Sequence, residues 1–253
     1  MAAFYGLRKL KHPDDWKGLA GGWKPKRSAY ELAHTWQLAN GLPTPIYLAL
    51  NTSGHAVLHN IKLDRCFVEM PVFLESRRAP SVTDIMCYGR NADKECIVMA
   101  VEGKASEPFA ERVSWWLRGE ASDCPLTLVV RPSRRRRLDF LGQHLRMTIG
   151  DGSRLRYQLM HRTVSAILQA KLHGAAAAVV VVHTFGEHGV DNWNDYCEFL
   201  RGLGADPSTP MVVVGPRDLG HGFDVPTYFL WWPDSCYVAP GQEVTQPPTV
   251  HGK

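Results

Sequence analysis

Asp84, Glu102 and Lys104 are the residues of this chain whose types and spacing could do chemistry together. Glu102 and Lys104 lie in Met99-Ala100-Val101-Glu102-Gly103-Lys104-Ala105, an apolar run that reads as a strand. Side chains alternate between faces along a strand, so the carboxylate and the ammonium share one face. Glu-x-Lys alone is a common tripeptide, and an ion pair at a strand end is ordinary surface structure. Asp84 changes that weighing. It opens a second strand, and Gly89-Arg90-Asn91-Ala92-Asp93-Lys94 between the two has the Gly, Asn and Asp of a hairpin turn. Folding about Asn91 to Asp93 sets Asp84 opposite residues 100 to 102 of the partner strand. Two carboxylates then converge within reach of one cation. Such ligands suit Mg²⁺, with Mn²⁺ as a substitute, because Mg²⁺ keeps several waters and binds through one or two carboxylates. Asp84 and Glu102 are the expected metal ligands. Lys104 would stand beside a nucleophilic water and steady the anion developing on a phosphoryl group.

The elements that must position these residues can be read around them. Ser28-Ala29-Tyr30-Glu31 reads as a capping box opening a helix with an apolar stripe of Ala29, Leu32, Ala33 and Trp36. Asn40-Gly41 and Pro43 end it. Strands are expected at Cys66 to Leu74, Asp84 to Tyr88 and Cys96 to Ala105. In the third, Ile97, Met99 and Val101 point one way and Cys96, Val98 and Ala100 the other, the pattern of a strand covered on both faces. A less regular stretch, Pro108 to Asp151, contains a short helix near Ala110 to Leu117. A long helix follows, Arg154 to His173, stopped by Gly174. Ala176 to Val182 is a buried strand, and Pro210 to Gly215 and Thr227 to Trp232 are two more. Residues 1–26 read as an irregular N-terminal arm, 27–238 as a single domain and 239–253 as a disordered tail.

On the long helix, Gln158, His161, Arg162, Ser165 and Gln169 recur at helical spacing as a polar stripe, while Leu155, Leu159, Thr163, Ala166 and Ala170 line a packing face. Most such stripes face solvent, but one without Glu or Lys is an unusual solvated face. Glu107 could be a carboxylate behind the site or a helix cap. His183 reads as a structural histidine, and Trp115-Trp116 and Trp231-Trp232 as packing residues.

The 253 residues carry 29 Lys and Arg against 25 Asp and Glu, a formal charge of +4 that is compatible with a nucleic-acid partner without requiring one. The dense block Arg134-Arg135-Arg136-Arg137 could grip phosphates or be a solvated loop. The six cysteines show no CxxC or zinc spacing, which points to a reducing, cytoplasmic setting. No apolar run nears the ~20 residues of a membrane helix, and the first residues lack the apolar stretch of a secretory signal.

With Pro80-Ser81-Val82-Thr83-Asp84, then Glu102-Gly103-Lys104, on a helix, three strands, helix, strand order, the chain resembles the PD-(D/E)XK nuclease superfamily. The similarity spans roughly Ser28 to Phe185, and is greatest to uncharacterised bacterial members through Ser28-Ala29-Tyr30-Glu31-Leu32-Ala33 and Arg156-Tyr157-Gln158-Leu159-Met160-His161-Arg162-Thr163. The aspartate here follows Thr83 rather than proline. The resemblance implies a restriction-endonuclease-like α/β fold: an αβββαβ core with a central mixed sheet flanked by helices, plus C-terminal strands. It implies Mg²⁺-dependent cleavage of nucleic acid, DNA ahead of RNA, with Asp84, Glu102 and Lys104 catalytic. It also implies Gln158 at the site and Glu31, His161 and Arg162 in support. A nuclease-fold module that binds or regulates without cutting is the alternative.

Overall fold

A strand apolar on both faces must be covered on both, and the architecture is built around that need. The computed structural model describes residues 1–75, 79–118, 131–186, 190–207 and 209–237. In chain order these form β1 (Ala3–Tyr5), β2 (Lys9–Leu10), α1 (Ser28–Leu32), which continues as a π-helical turn (Ala33–Gln37), and α2 (Thr44–Asn51). The strands β3 (Lys62–Val72), β4 (Ser81–Arg90) and β5 (Cys96–Lys104) follow, then α3 (Val113–Arg118), α4 (Pro132–Leu145) and α5 (Tyr157–Leu172). β6 (Ala177–Phe185), α6 (Val190–Gly202), β7 (Val214–Leu219) and β8 (Val225–Asp234) complete the order.

The eight strands make one mixed sheet in the order β2-β1-β3-β4-β5-β6-β8-β7. β3, β4 and β5 form an antiparallel meander, with Ile85 opposite Val101 and Arg90 opposite Cys96. β5, β6 and β8 run parallel, with Glu102 beside Val182. On one face Met86, Tyr88, Val98, Ala100, Val180 and Val182 pack under α4, α5 and α6 through Leu138, Leu141, Leu159, Val164 and Phe199. On the other, Ile85, Ile97, Met99, Val101, Val179 and Val181 meet Leu32, Ala33, Trp36, Ile46 and Leu50. Fully burying each large aliphatic side chain is worth about 1.5–3 kcal/mol, so the two-sided strand pattern fixes a three-layer arrangement.

Several expected boundaries move. The N-terminal arm is not irregular: β1 pairs parallel with β3, and Phe4, Leu10 and Trp16 join the buried layer under α1. Scattered apolar residues without periodicity hid those short strands. The less regular stretch contains α4, whose arginines masked an apolar stripe of Leu138, Leu141 and Leu145. Arg154 to Arg156 precede the long helix rather than begin it, because Arg156 is extended and bridges to Arg112. The strand expected at Pro210 starts at Val214, after Met211 turns the chain with a left-handed backbone (φ 66°). Arg27, not Ser28, caps α1, so the expected capping box does not form. The tail from 239 onward and Cys124 lie outside the described residues; the five described cysteines are free thiols. Among the described residues no helix is long and apolar enough to cross a membrane.

Candidate active site

Alternation along two antiparallel strands assembles the site. Even-numbered residues of β5 face α5: Val98 and Ala100 pack there, and Glu102 and Lys104 continue the row at the strand's C-terminal end. Asp84 points to the same side, because the guanidinium of Arg162 from α5 reaches both carboxylates. Nη2 of Arg162 donates to Oδ1 of Asp84 at 3.0 Å and also to Oε2 of Glu102. The two oxygens are therefore less than two hydrogen-bond lengths apart. Gly103, turned to the opposite face, is needed for close approach: a Cβ there would lie 2.5 Å from Cδ1 of Leu32 in α1. Its backbone N–H donates to Oδ2 of Asp84 at 2.8 Å, tying β5 to the start of β4.

Glu102 is saturated. Its Oε1 accepts from Nζ of Lys104 at 2.7 Å and from Nε2 of Gln158, and its Oε2 accepts from Nε of Arg162 at 2.6 Å as well as from Nη2. Gln158 is oriented in turn by the Ala110 N–H, which donates to its Oε1 at 2.9 Å. The helix stripe is thus turned inward: Arg162 is 1% exposed, Ser165 is buried, and Gln169 accepts from the Tyr88 hydroxyl at 2.7 Å.

Sequence reasoning missed Glu69. The ladder pairs Val68 with Ile85 and Met70 with Thr83, which sets Glu69 opposite Asp84. Glu69 has a left-handed backbone (φ 50°), costly for a residue with a side chain. It lines the same small polar cleft, about 170 Å³, as Asp84, Glu102, Lys104, Gln158 and Ser28. A lone carboxylate inside the apolar run Phe67-Val68-Glu69-Met70 was the available signal.

The cleft holds three carboxylates against the two cations Lys104 and Arg162, and the ionisation follows. Burial raises Asp84, and repulsion from Glu102 adds to it, so its carboxyl rises to about 6 despite Arg162. Burial and then Asp84 push Glu69 up to about 7. Burial also opposes the charge of Glu102, but Arg162 and Lys104 outweigh it and hold that carboxyl at about 2. For Lys104 desolvation favours the neutral amine, yet Glu102 and Asp84 prevail and its pKa lies above the ordinary value. Lys104 is therefore an ammonium, a donor of charge and hydrogen bonds rather than a base.

A divalent ion would find open oxygens in this donor set at Asp84. Asp84 accepts one hydrogen bond on each oxygen, so each retains a lone pair. Asp84 and Glu69, raised first by burial and then by neighbouring carboxylates, are groups whose ionised form a cation would favour. Among the described residues no group of three or more His, Cys, Asp or Glu is arranged to hold a metal. Mg²⁺ does not need an all-protein cage. Asp84 fits as a ligand, with Glu69 beside it. Glu102 would join only where the Arg162 contact gives way.

The other expected residues lie elsewhere. Glu31 is not in the cleft; its carboxylate is buried, with Oε1 accepting the Lys26 N–H at 2.7 Å and Oε2 the Tyr237 N–H at 2.5 Å. Its role is to staple two backbone segments across α1. The Ser28 hydroxyl bonds instead to Glu107. His161 faces a neighbouring cavity, its Nδ1 2.7 Å from Oγ of Ser81. Desolvation first, and the Arg162 charge second, hold it down to about 3. The arginine block is helical rather than a loop, and is not a free cluster. Arg134 donates to the Trp116 carbonyl, Arg135 pairs with Asp139 and Asp151, and Arg137 donates to the Tyr157 hydroxyl. Only Arg136 of the four is exposed. His183 is buried and accepts from Nε1 of Trp36 at 3.0 Å, as a structural histidine should.

The fold and site define an α/β protein with a charged cleft at the carboxyl end of a central strand. The chain belongs to the family described as a domain of unknown function, DUF6946, whose model matches residues 9–234. No curated protein and no solved structure matches it.

Proposed function

We propose that this protein is a Mg²⁺-dependent phosphodiesterase of the nuclease type acting on nucleic acid, DNA first, and that α1, β3, β4, β5, α5 and β6 form a restriction-endonuclease-like core. The observation that carries this reading is the convergence of Asp84, Glu102 and Lys104 on one face at the end of β5, joined there by Gln158 and Arg162. Bound Mg²⁺ would supply Lewis acidity toward a phosphoryl group. Asp84 presents its remaining lone pairs to the cleft. Lys104, held at Glu102, places a desolvated positive charge where an anion develops, the setting in which such a charge counts most. Glu69, at about 7, has the proton affinity to take a proton from water at neutral pH. Gln158 and Arg162 hold Glu102 and so fix Lys104.

One observation favours the alternative of a catalytically silent binding or regulatory module: Arg162 already supplies positive charge to both Asp84 and Glu102, the two expected metal ligands. Cleavage of end-labelled DNA, and separately RNA, with Mg²⁺ or Mn²⁺ distinguishes the two. Metal-dependent products lost in Asp84→Asn support the enzyme. Binding without products from wild type supports the silent module.

A further inference from the structure

Beside the charged cleft lies a larger cavity, about 460 Å³, that the proposed chemistry does not use. The two share their walls. On α5, Gln158 and Arg162 turn to Glu102 while Tyr157 and His161, one residue earlier in each case, line the cavity. On β4, Asp84 serves the cleft while Ser81 and Val82 line the cavity, and Nη1 of Arg162 donates to the Val82 carbonyl at 2.5 Å between them. One side of the cavity is a stacked pair: Trp116 and Tyr157 lie with centroids 3.9 Å apart and planes 13° from parallel, so each ring covers one face of the other and leaves its outer face. The Arg134 guanidinium lies 5.4 Å from the Trp116 ring centre.

Arg137 lines the same cavity and is only 8% exposed. Its Nε donates to the Tyr157 hydroxyl at 2.7 Å and its Nη1 to the Ala79 carbonyl at 3.0 Å, both neutral oxygens. With Nε and Nη1 so engaged, Arg137 still has both Nη2 hydrogens and the second Nη1 hydrogen to offer an anion such as phosphate. The volume falls in the range of sites for small organic ligands. Aromatic rings beside a buried cation suit a planar base joined to a phosphate, since bases stack on aromatic side chains regardless of sequence.

We propose that this cavity binds one nucleotide unit of the strand whose neighbouring phosphate enters the cleft, its base continuing the Trp116–Tyr157 stack on an outer face and its phosphate on Arg137. The proposal rests on the nucleic-acid reading of the cleft, but it can fail separately. Calorimetric titration of the full chain with deoxyadenosine 5′-phosphate, deoxyadenosine and ribose 5-phosphate tests it directly. The nucleotide should bind at least tenfold more tightly than either fragment. Trp116→Ala should weaken the nucleotide about tenfold or more and leave ribose 5-phosphate unchanged, with Trp116→Phe restoring most of the loss. Arg137→Lys, which keeps the charge and loses the fork, should weaken nucleotide and ribose 5-phosphate alike. Trp116 is part-exposed, so its variants stand even where Arg137 variants fail to fold. Equal affinity for nucleotide and ribose 5-phosphate, or no change in Trp116→Ala, overturns the pocket. Nucleotide binding retained in a Lys104→Ala protein, with no cleavage by wild type, upholds the pocket and removes the nuclease. Cleavage by wild type at an unchanged KM in Trp116→Ala leaves the nuclease and removes the pocket.

Discussion

Arg162 and Arg135 are both arginines on helices that cover the same face of the sheet, and both pair with two carboxylates. Arg162 does so with its side chain 2% exposed, between Glu102 at 1% and Asp84 at 22%. Arg135 does so with its side chain 33% exposed, facing Asp139 at 47% and Asp151 at 57%. In the first place water cannot replace a lost partner; in the second it can. Burial, and not the density of charge along the chain, separates the two regions. The block of four arginines was the loudest charge signal in the sequence, yet three of its members are bound to the scaffold, whereas the quiet Arg162 holds the cleft together.

The sharpest way to break this comparison is to remove each arginine in turn. Arg162→Ala leaves Glu102 buried against a missing cation, which should cost about 3–5 kcal/mol of stability. Arg135→Ala should cost less than about 1 kcal/mol. Urea unfolding of both proteins at low salt measures the difference, and similar midpoints would mean that water reaches the cleft freely. Next in size is Lys104→Ala. Removing a preorganised donor from a desolvated site should lower metal-dependent cleavage about 100-fold or more, while nucleic-acid binding, followed by anisotropy, stays within a few fold. A matching loss of binding would make Lys104 part of the grip instead.

The pH dependence of stability sharpens the electrostatic side. Asp84 and Glu69 have folded pKa values of about 6 and about 7, raised above their ordinary values. The native state therefore keeps protons that the unfolded chain has released, and stability from these groups is full below their unfolded pKa values, near 4, and is lost as pH rises through about 6 to 7. Glu102, lowered to about 2, acts in reverse: its contribution is present above its unfolded pKa and is lost as pH falls toward 2. Without added metal, thermal midpoints should decline from pH 5 to pH 7.5. Excess Mg²⁺ should flatten that decline, because a ligand of the native state stabilises it most where its carboxylates are ionised. The Asp84→Asn protein should show a weaker decline and little response to Mg²⁺; an undiminished response there would place the ion elsewhere.

What the sequence showed of this site follows from where the information lies. Period-two alternation and one hairpin turn suffice to bring Asp84 to Glu102 and Lys104, because register in a short hairpin leaves little freedom. The inward turn of Gln158 and Arg162 was half legible, as a stripe lacking the usual solvated residues. Glu69 was not, because its placement depends on a left-handed backbone that no periodicity announces. Glu31 misled for a related reason: the resemblance put it near the site, but its partners are backbone N–H groups at Lys26 and at Tyr237, the latter 206 residues away. The strands β1 and β2 were invisible because short strands are defined by the neighbour they pair with, here β3, rather than by their own pattern.

The smallest expected effect returns to the arginine block, whose members the sequence could not tell apart. If the block contacted phosphates as a unit, each arginine replaced would weaken binding to any sequence and flatten its salt dependence by roughly one unit of slope. The structure separates them. Arg135 is neutralised by Asp139 and Asp151, so it cannot take a phosphate without first losing those carboxylates. Arg136 is exposed. Arg136→Ala should therefore weaken nucleic-acid binding only a few fold and reduce the slope of log affinity against log salt by about one, while Arg135→Ala leaves that slope unchanged. Titrations at several salt concentrations read both quantities on the same oligonucleotide. Equal slope changes in the two variants would show that Arg135 leaves its aspartates to grip the strand, and the contrast between a scaffold-bound block and a buried working cluster would then fail at its weaker end.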